Sequence, residues 1–363
     1  MSTSGEITLT ICFTILVFPG LLGNFLVCLV VFSRRTMQTP INYLFVNLAV
    51  ADIITLTFIG PQYIFIHLFK HPTGTTGDFL CKFITGGNIS WIGGVASVFS
   101  LVAISFERYH AVINPYSQAS NFSTTKVKVI IVCCWIFTIA FNFPLFFVIY
   151  YNRDKKFCLE SWPSVTSGKI NSTFWLVVVG IIPAVIMTSL YSRVVCNLWF
   201  KKTNEFVQIV VRRSRKKVTK VALIVSVIYV ISWFPQLVVY LLSNYETGIK
   251  FGEFAYMASV VMVTFNSAVN PFIYALQSGR FRQHFKELLC RHQRRRRVFP
   301  LEYCDAAAVL SLQNTKPKNE SHMLNKETAQ TNRETAEEKN NLARDSFRVQ
   351  LAENTNSCKK SVI

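Results

Sequence analysis

The first 290 residues consist of long apolar runs separated by short polar connections. Seven runs contain almost no charge, and they cover residues 7–32, 41–69, 80–107, 127–150, 173–199, 218–242 and 253–277. A helix needs roughly 20 apolar residues to cross the hydrocarbon core of a membrane. Lipid cannot satisfy exposed backbone groups, and the runs lack the short alternation of a membrane barrel. The pattern therefore predicts an all-α membrane protein, a bundle of seven transmembrane helices.

The flanks of this bundle have a different pattern. Residues 1–6 form a short N-terminal segment before the membrane domain of residues 7–277. In residues 278–290, apolar side chains recur at helical spacing among charged ones, which predicts a short amphipathic eighth helix on the membrane surface. Cys290 at its end is a palmitoylation candidate, with a free thiol as the alternative. Residues 291–363 are polar and poor in aromatic residues, which predicts a disordered tail.

Charge is distributed unevenly along the chain. There are 38 Lys and Arg against 19 Asp and Glu, a net charge of +19, and 23 of these 57 residues follow position 290. Of the 24 basic residues before position 291, 17 lie beside one set of connections. Basic connections face the cytoplasm, so we expect an extracellular N-terminus in a multi-pass plasma-membrane protein. The first run lacks the basic start and cleavage pattern of a signal peptide, and we interpret it as a retained span.

Two features are expected on the outer side. Only Cys81 and Cys158 of the ten cysteines fall in outer connections, where thiols can oxidise, so the sequence predicts one disulfide between them. Asn171 begins the sequon Asn171-Ser172-Thr173 on the same side, which makes it the glycosylation candidate. On the inner side, the basic cluster of residues 212–217 borders a span and is interpreted as an orientation signal, so no nucleic-acid partner is expected.

Polar residues inside the apolar runs need an explanation, because they are costly in a membrane. Asp52 must take up a proton or find a cation and hydrogen-bond donors. Its candidate partners are Asn24, Asn47, Ser97, Asn266, Ser267 and Asn270. The alternative is that these small polar groups only hold helices together. Prolines inside the runs, which permit kinks, occur at positions 61, 144, 183, 235 and 271.

Short motifs follow one another in the seven runs. They are Gly23-Asn24, Asn47 through Asp52, Cys81 with Glu107-Arg108-Tyr109, Trp135, Pro183 with Tyr191, Ser232-Trp233-Phe234-Pro235, and Asn270-Pro271 with Tyr274. Each motif is weak alone, but in this order they make residues 20–290 resemble the rhodopsin-type (class A) G-protein-coupled receptors. The resemblance implies a receptor that converts binding of an extracellular ligand into activation of a heterotrimeric G protein, with arrestin as a further partner.

The resemblance also implies roles for particular residues. A sodium pocket, the one cofactor site expected, would consist of Asp52, Ser97, Asn266, Ser267 and Asn270. The residues implied in activation and G-protein coupling are Glu107, Arg108, Tyr109, Pro115, Tyr191, Trp233, Pro235, Asn270, Pro271 and Tyr274. Among these, Glu107 would hold Arg108 at rest, and Trp233 beside Pro235 would sense the ligand. Tyr191 and Tyr274 would support the active arrangement.

Two features depart from the family pattern: one residue at the start of the sixth helix, and one sequence interval in the third. Where family members often carry an acid at the start of the sixth helix, this chain has Arg215, so we expect a weak resting contact that relies on Thr219, and appreciable basal signalling. The 27-residue interval from Cys81 to Arg108 is longer than usual for the family. Glycine pairs at residues 86–87 and 93–94 could absorb the excess as a bulge or a loosened helix top.

The sequence argues against two ligand classes, retinal and biogenic amines, and leaves a set of aromatic and polar residues as candidates for the ligand pocket. Opsins need a lysine where Thr264 stands, and amine receptors need an aspartate where Ser90 or Asn88 stands. The remaining pocket candidates are Gln62, Trp91, Trp175, Trp233, Gln236, Tyr240 and Tyr256, with Asp154, Glu160 and Glu253 near the rim. Aromatic walls with amides and carboxylates suit an amidated or basic peptide, and the chain resembles receptors of the galanin, neuropeptide Y and neuropeptide FF kind. A lipid or other small ligand is the alternative.

Other classes of protein fit less well. A transporter or channel would typically show internal repeats or charged residues along a path through several spans, and neither is visible. No metal-ligand cluster, nucleophile motif or phosphate loop indicates an enzyme. In the tail, Ser and Thr residues could be phosphorylated for arrestin, and the final Ser361-Val362-Ile363 fits a PDZ ligand.

Overall fold

A computed structural model describes residues 3–65, 68–113, 122–200, 206–245 and 253–277, together with residue 283. Within these residues, seven helical stretches are long and apolar enough to cross a membrane, which confirms the predicted bundle. They are Ile7–Ser33, Pro40–Tyr63, Thr75–Ile113, Thr124–Val148, Val165–Phe200, Arg212–Ser243 and Phe254–Tyr274. The expectations for Pro115, for the eighth helix and Cys290, and for the tail with its last three residues lie outside the described part.

The elements follow one another in a simple order. The first half contains α1 (Thr3–Ser33), α2 (Pro40–Tyr63), α3 (Thr75–Leu80), a π-helical turn (Cys81–Thr85), α4 (Asn88–Ile113), α5 (Thr124–Asn142), α6 (Leu145–Val148) and the strands β1 (Ile149–Asn152) and β2 (Phe157–Glu160). The second half contains α7 (Val165–Trp175), a π segment (Leu176–Ile181), α8 (Ile182–Val195), a second π segment (Cys196–Phe200), α9 (Phe206–Ser243) and α10 (Phe254–Gln277).

Residues at the N-termini of several helices explain why the helices begin there. Pro40 opens α2, where its missing N–H costs nothing. Ser123 caps α5 by accepting a hydrogen bond from the backbone of Lys126, and Ser164 caps α7 through a reciprocal pair with Ser167. The first apolar run, predicted at residues 7–32, agrees with the span Ile7–Ser33, although α1 itself begins at Thr3. The second run was predicted to reach position 69, whereas α2 ends at Tyr63.

The strands form an antiparallel hairpin that the all-α expectation did not include. Ile149 pairs with Glu160 and Asn152 pairs with Phe157, so the end of the predicted fourth run belongs to this hairpin and not to a helix. Cys158 on β2 is bonded to Cys81 at the top of the third span, with 5.7 Å between their Cα atoms. This confirms the predicted disulfide. We call the end of the bundle that carries it the disulfide end, and the end that carries Arg108 the arginine end.

The top of the third span absorbs the long interval between Cys81 and Arg108. The π-helical turn ends at Thr85, and Gly87 then adopts a φ of +81° before α4 begins. Only glycine takes such a conformation without strain. Gly93 and Gly94 instead lie inside α4, where a Cβ on Gly93 would stand 2.7 Å from the carbonyl oxygen of Ala51. Gly93 therefore permits close packing of α4 on α2, whereas Gly94 lies against the ring of Trp233 on α9.

Candidate functional site

A cavity that is open to solvent lies at the disulfide end of the bundle. It is lined by Trp91, Leu145, Glu160, Trp175, Trp233, Gln236, Leu237, Tyr240 and Tyr256. Six of the seven predicted pocket residues are in this set. The exception is Gln62, which is buried and donates from Nε2 to the carbonyl of Gly86 at 3.4 Å. Of the rim carboxylates, Glu160 lines the cavity, whereas Asp154 and Glu253 are exposed.

Aromatic rings form most of the cavity wall. Trp91 meets Trp175 edge to face with 5.9 Å between ring centroids, and it meets Trp233 in the same way at 6.2 Å. Trp175 in turn packs edge-on against Tyr240 at 6.2 Å. These contacts join α4, α7 and α9, and edge-to-face packing at such distances is favourable. The wall therefore presents ring faces and edges from three spans to a ligand.

Glu160 joins the hairpin to α9. The hydroxyl of Tyr240 and the indole N–H of Trp162 both donate to its carboxylate at 2.8 Å. Burial raises the pKa of the Glu160 carboxyl above its ordinary range, and the hydrogen bonds from Trp162 and Tyr240 oppose this shift only in part. The carboxyl group in the cavity wall therefore takes up a proton more readily than an exposed carboxyl group does.

Asn171, the predicted glycosylation site, belongs to the same network. Its side-chain amide lies on α7 and donates to the hydroxyl of Tyr240 at 2.9 Å. The neighbouring Ser172 is fully buried. Glycosylation at Asn171 stays a prediction, and a glycan there would have to share the amide nitrogen with this contact.

Asp52 lies fully buried in the middle of the bundle and joins three spans. The hydroxyl of Ser97 donates to its Oδ1 at 2.9 Å, and the amide of Asn270 donates to its Oδ2 at 2.7 Å. Ser267, one turn before Asn270, is buried, and its backbone carbonyl accepts a hydrogen bond from Asn24 at 2.9 Å. Two of the predicted partners, Ser97 and Asn270, therefore bond to Asp52 directly.

The polar groups around Asp52 are not all satisfied. In the described part of the chain, no hydrogen-bond partner is present for either side-chain polar atom of Asn266, for Oδ1 of Asn270 or for Oδ1 of Asn24. Buried polar atoms without partners are rare and require an explanation. Carboxylate, hydroxyl and amide oxygens are hard ligands that suit a small cation, so the predicted sodium set fits this cluster chemically.

Asn47 is not a partner of Asp52, contrary to one candidate interpretation of the sequence. Its amide donates to the hydroxyl of Ser100 at 2.8 Å, and its Oδ1 accepts from the indole of Trp135 at 2.9 Å. Asn47 thus connects α2 to α4 and α5, a structural role of the kind that small polar residues often have in membrane helices.

At the arginine end, Arg108 and Glu107 form a buried bidentate ion pair on adjacent positions of α4. Thr219 on α9 does not complete this contact as predicted, because its buried hydroxyl has no hydrogen-bond partner among the described residues. Tyr191 on α8 is buried near the pair. Tyr274 packs against Phe45, with 4.9 Å between ring centroids.

A second contact at the arginine end was not predicted. Arg212 of α9 donates from its guanidinium to the backbone carbonyls of Asn197 and Leu198, each at 3.0 Å. Lys216, one turn later, lies over the ring of Trp199 at 5.1 Å. The π segment at Cys196–Phe200 lacks normal α-helical bonding, which leaves carbonyls for an outside donor. Arg212 and Lys216 therefore fasten α9 to the end of the fifth span.

One other cluster has the residue types of a metal site. The ligand atoms of His71, Cys81 and Cys158 lie within 4.8 Å of one another. Both sulfurs are used in the disulfide, so they are not thiolate ligands. His71 instead contacts the hydroxyl of Thr85 at 2.9 Å and stacks on Tyr151.

The fold and these sites define a class of membrane receptor. Residues 23–274 match the family described as "7 transmembrane receptor (rhodopsin family)", and the chain belongs to this family. It is therefore a multi-pass receptor of the plasma membrane. The aromatic cavity, the buried Asp52 cluster and the Arg108–Glu107 pair all lie within the matched residues.

Three relatives show which members of the family the chain is similar to. The chain is 29% identical over 308 residues to a QRFP-like peptide receptor of Branchiostoma floridae, covering 80% of each chain. It is 31% identical over 281 residues to the allatostatin-A receptor of Bombyx mori, covering 74% of this chain and 76% of the relative. It is 26% identical over 294 residues to the pyroglutamylated RF-amide peptide receptor of Rattus norvegicus, covering 75% and 67%.

Proposed function

We propose that this protein is a G-protein-coupled receptor for an extracellular peptide. The observation that carries the proposal is the cavity at the disulfide end, because it combines indole and phenol rings with an amide and a carboxylate, and its wall includes Trp233. Such a site suits a ligand with aromatic and polar groups. Two of the relatives described above are named as peptide receptors, which favours a peptide over a lipid or another small molecule.

We place the disulfide end and the N-terminus outside the cell. The Cys81–Cys158 bond requires an oxidising compartment. The basic residues Arg212, Arg213 and Lys216 lie at the arginine end, and basic residues accumulate on the cytoplasmic side. A peptide from outside then reaches the cavity directly, and a G protein meets Arg108.

The path from the cavity to the inside runs along α9. Trp233 is buried, lines the cavity and precedes Pro235 by two residues. A proline within a helix removes one backbone hydrogen bond and permits bending. A ligand that presses on the indole therefore acts at the point where α9 bends most easily, and bending there moves the arginine end of the helix.

The Asp52 cluster is the proposed sodium site, and a bound sodium ion would stabilise the resting state of the receptor. Asp52, Ser97, Asn266, Ser267 and Asn270 would hold the ion, which supplies a positive charge that neutralises the carboxylate when it is bound. Asn270 precedes Pro271 on α10, so its hydrogen bond to Asp52 holds the helix beside the position where the proline permits bending. Loss of the ion would favour a rearrangement of α10 and Tyr274.

At the arginine end, release of Arg108 from Glu107 makes the guanidinium available to the G protein. The buried Tyr191 and Tyr274 would then support the open arrangement, with Tyr109 at the same end of α4. Pro115 would contribute from the second inner loop. Arrestin and a PDZ scaffold are further proposed partners, through phosphorylated tail residues and through Ser361-Val362-Ile363.

The test is a screen of amidated and basic peptides on cells that express the full chain, with cyclic AMP and intracellular calcium as readouts. We expect at least one peptide to produce a saturable response that purified receptor reproduces as nucleotide exchange on a G protein. Ion flux through reconstituted vesicles without nucleotide exchange would contradict the proposal in favour of a channel or transporter.

A further inference from the structure

The hairpin carries a basic cluster on the side of the bundle that we place outside the cell. Residues 153–156, which we call the basic turn, follow β1 and contain Arg153, Lys155 and Lys156 beside Asp154. All four side chains are exposed, and among the described residues none of the three basic ones forms an ion pair. Basic residues accumulate on the cytoplasmic side of membrane proteins, so a cluster on the outer side requires an explanation.

Hydrogen bonds hold the basic turn in place. The guanidinium of Arg153 donates to the hydroxyl of Thr73 at 2.7 Å. At the end of β1, the backbone N–H of Tyr151 donates to Oδ1 of Asp78 at 2.9 Å. The turn therefore stands on a base fixed to α3 and to the segment before it, and its two lysines are exposed above that base.

A strip of phenylalanine rings lies close to the same base. Phe79 contacts Phe83 with 4.8 Å between ring centroids, and Phe83 contacts Phe146 at 5.5 Å. Phe143 contacts Phe147 at 5.1 Å, and four of these five rings are exposed. We call the five residues the aromatic strip. It joins α3 and the π-helical turn of the third span to the end of the fourth span.

The strip and the basic turn form one continuous surface. Phe79 follows Asp78, the residue that accepts the hydrogen bond from Tyr151. A strand advances about 3.3 Å per residue, so the basic turn begins about 7 Å beyond Tyr151. On the other side, α6 contains Phe146 and Phe147 and leads directly into β1. The rings and the basic side chains are therefore two parts of the same flank.

The strip lies at the level of the membrane boundary. Phe79 and Phe83 stand next to Asp78 and Lys82 in the sequence, and charged side chains avoid the hydrocarbon. The common anionic phospholipids belong to the cytoplasmic leaflet. A lipid of the outer leaflet with a negative charge is instead an acidic glycolipid, whose sugar headgroup bears a sulfate or a carboxylate.

We infer that this flank binds the headgroup of an acidic glycolipid in the outer leaflet. The basic turn binds the sulfate or carboxylate through charge-assisted hydrogen bonds. The aromatic strip packs against the sugar and the first part of the lipid chains. The face of an aromatic ring is electron-rich, so it attracts the weakly positive C–H groups of a sugar ring. The inference goes beyond the proposed function and depends only on the proposed orientation.

Two observations favour a lipid over other acidic partners. The cavity described above is lined by a different set of residues, so the flank lies outside the proposed peptide site. A soluble sulfated polysaccharide would use the basic turn and leave the aromatic strip without a function. A glycolipid uses both, because its charged sugar and its chains are joined in one molecule.

The experiment uses the full chain in intact cells that lack acidic glycolipids. Two photoactivatable lipids are added to the outer leaflet at equal amounts: galactosylceramide and its sulfated form, sulfatide, each with the same diazirine in its acyl chain. The measurement is the amount of lipid crosslinked to each receptor molecule at the cell surface. We expect sulfatide to label the wild type about fivefold more strongly than galactosylceramide, with crosslinks in residues 79–83 and 143–147.

A charge variant tests the basic turn. The triple substitution Arg153→Gln, Lys155→Gln and Lys156→Gln should make the two lipids label equally. The matched control removes three exposed charges at the arginine end and should retain the full preference for sulfatide; it combines Lys128→Gln, Lys217→Gln and Lys220→Gln. Surface expression shows whether each variant is folded and delivered to the membrane.

A ring variant tests the aromatic strip. Phe83→Leu combined with Phe147→Leu keeps the apolar character of both positions and removes the rings, so labelling by both glycolipids should fall about threefold. Phe25→Leu, at an exposed position of α1, should label as the wild type does. Soluble heparin should leave the labelling of the wild type unchanged.

Three results would overturn the inference: equal labelling of the wild type by the two lipids, a full preference for sulfatide in the charge variant, or competition by heparin with no effect of the ring variant. The last result would assign the basic turn to a polysaccharide. The orientation is tested separately by an antibody to an N-terminal tag on intact cells, and the proposed receptor function is tested by nucleotide exchange.

Discussion

The indole of Trp233 lies against the bare backbone of Gly94. A Cβ added to Gly94 would stand 3.0 Å from Cη2 of the ring, closer than an ordinary van der Waals contact. Trp233 is almost fully buried, and its other neighbours include Trp91 and Tyr229. The absence of a side chain at Gly94 therefore determines how deeply the indole sits between α4 and α9.

Substitution of Gly94 by alanine should displace Trp233 and destabilise the receptor. Overpacking of a filled interior costs about 1–3 kcal/mol, so we expect a clear fall in melting temperature and an altered basal nucleotide exchange. Gly60→Ala is the matched control, because the added methyl there would approach the half-exposed ring of Phe65 at 3.2 Å, and that ring can move. Equal effects of the two substitutions would argue against a special role for the Gly94 contact.

Replacement of Asp52 by asparagine should remove the response to sodium. In the wild type, sodium chloride should raise the melting temperature and lower basal nucleotide exchange relative to potassium chloride, because an ion that binds the resting state stabilises it. Asp52→Asn keeps the size of the side chain and removes its charge. Asp154→Asn, at an exposed position, should respond to sodium as the wild type does. A preserved sodium response in Asp52→Asn would exclude this site.

Arg215→Glu should lower basal signalling. Arg215 stands at the start of the sixth span, where receptors of this family often carry an acid, so an acid there is expected to pair with Arg108. A new ion pair to Arg108 would stabilise the resting state. Basal cyclic AMP and calcium responses of cells with equal surface expression provide the measurement. Arg213→Glu, on an exposed part of α9, is the control and should leave basal output unchanged.

Arg212→Met should raise basal signalling. The substitution keeps the length and apolar stem of the side chain but removes both hydrogen bonds to the carbonyls of Asn197 and Leu198. The arginine end of α9 then moves more easily away from the fifth span. The same basal assays apply, and Arg213→Met is the comparison. If Arg212→Met and Arg213→Met behaved alike, the contact with the π segment would have no part in the resting state.

The sequence predicts the spans well because the membrane imposes a length and an apolar content on each of them. It also predicts the Cys81–Cys158 bond, since only these two of the ten cysteines fall in outer connections. The hairpin was missed because Ile149 and Tyr150 continue the apolar run of the fourth helix. Only the pairing with β2, anchored by Cys158, makes them a strand.

The details of the sites depend on helix rotation, which the sequence does not specify. Asn47 and Asn270 are both small amides near the depth of Asp52, yet only Asn270 faces it. The partners of Arg212 could not be predicted, because a π segment has no clear pattern of residue types. Gln62 does not line the cavity, and its amide instead donates to the carbonyl of Gly86, beside the positive-φ backbone of Gly87.

The hairpin has a consequence for how such a receptor diversifies. Glu160 is borne by a loop that a single covalent bond anchors, whereas Asp52 and Arg108 are embedded in spans that pack on one another. Substitutions in the loop can therefore change which messenger is recognised while the inner machinery stays intact. Recognition and output are free to evolve at different speeds.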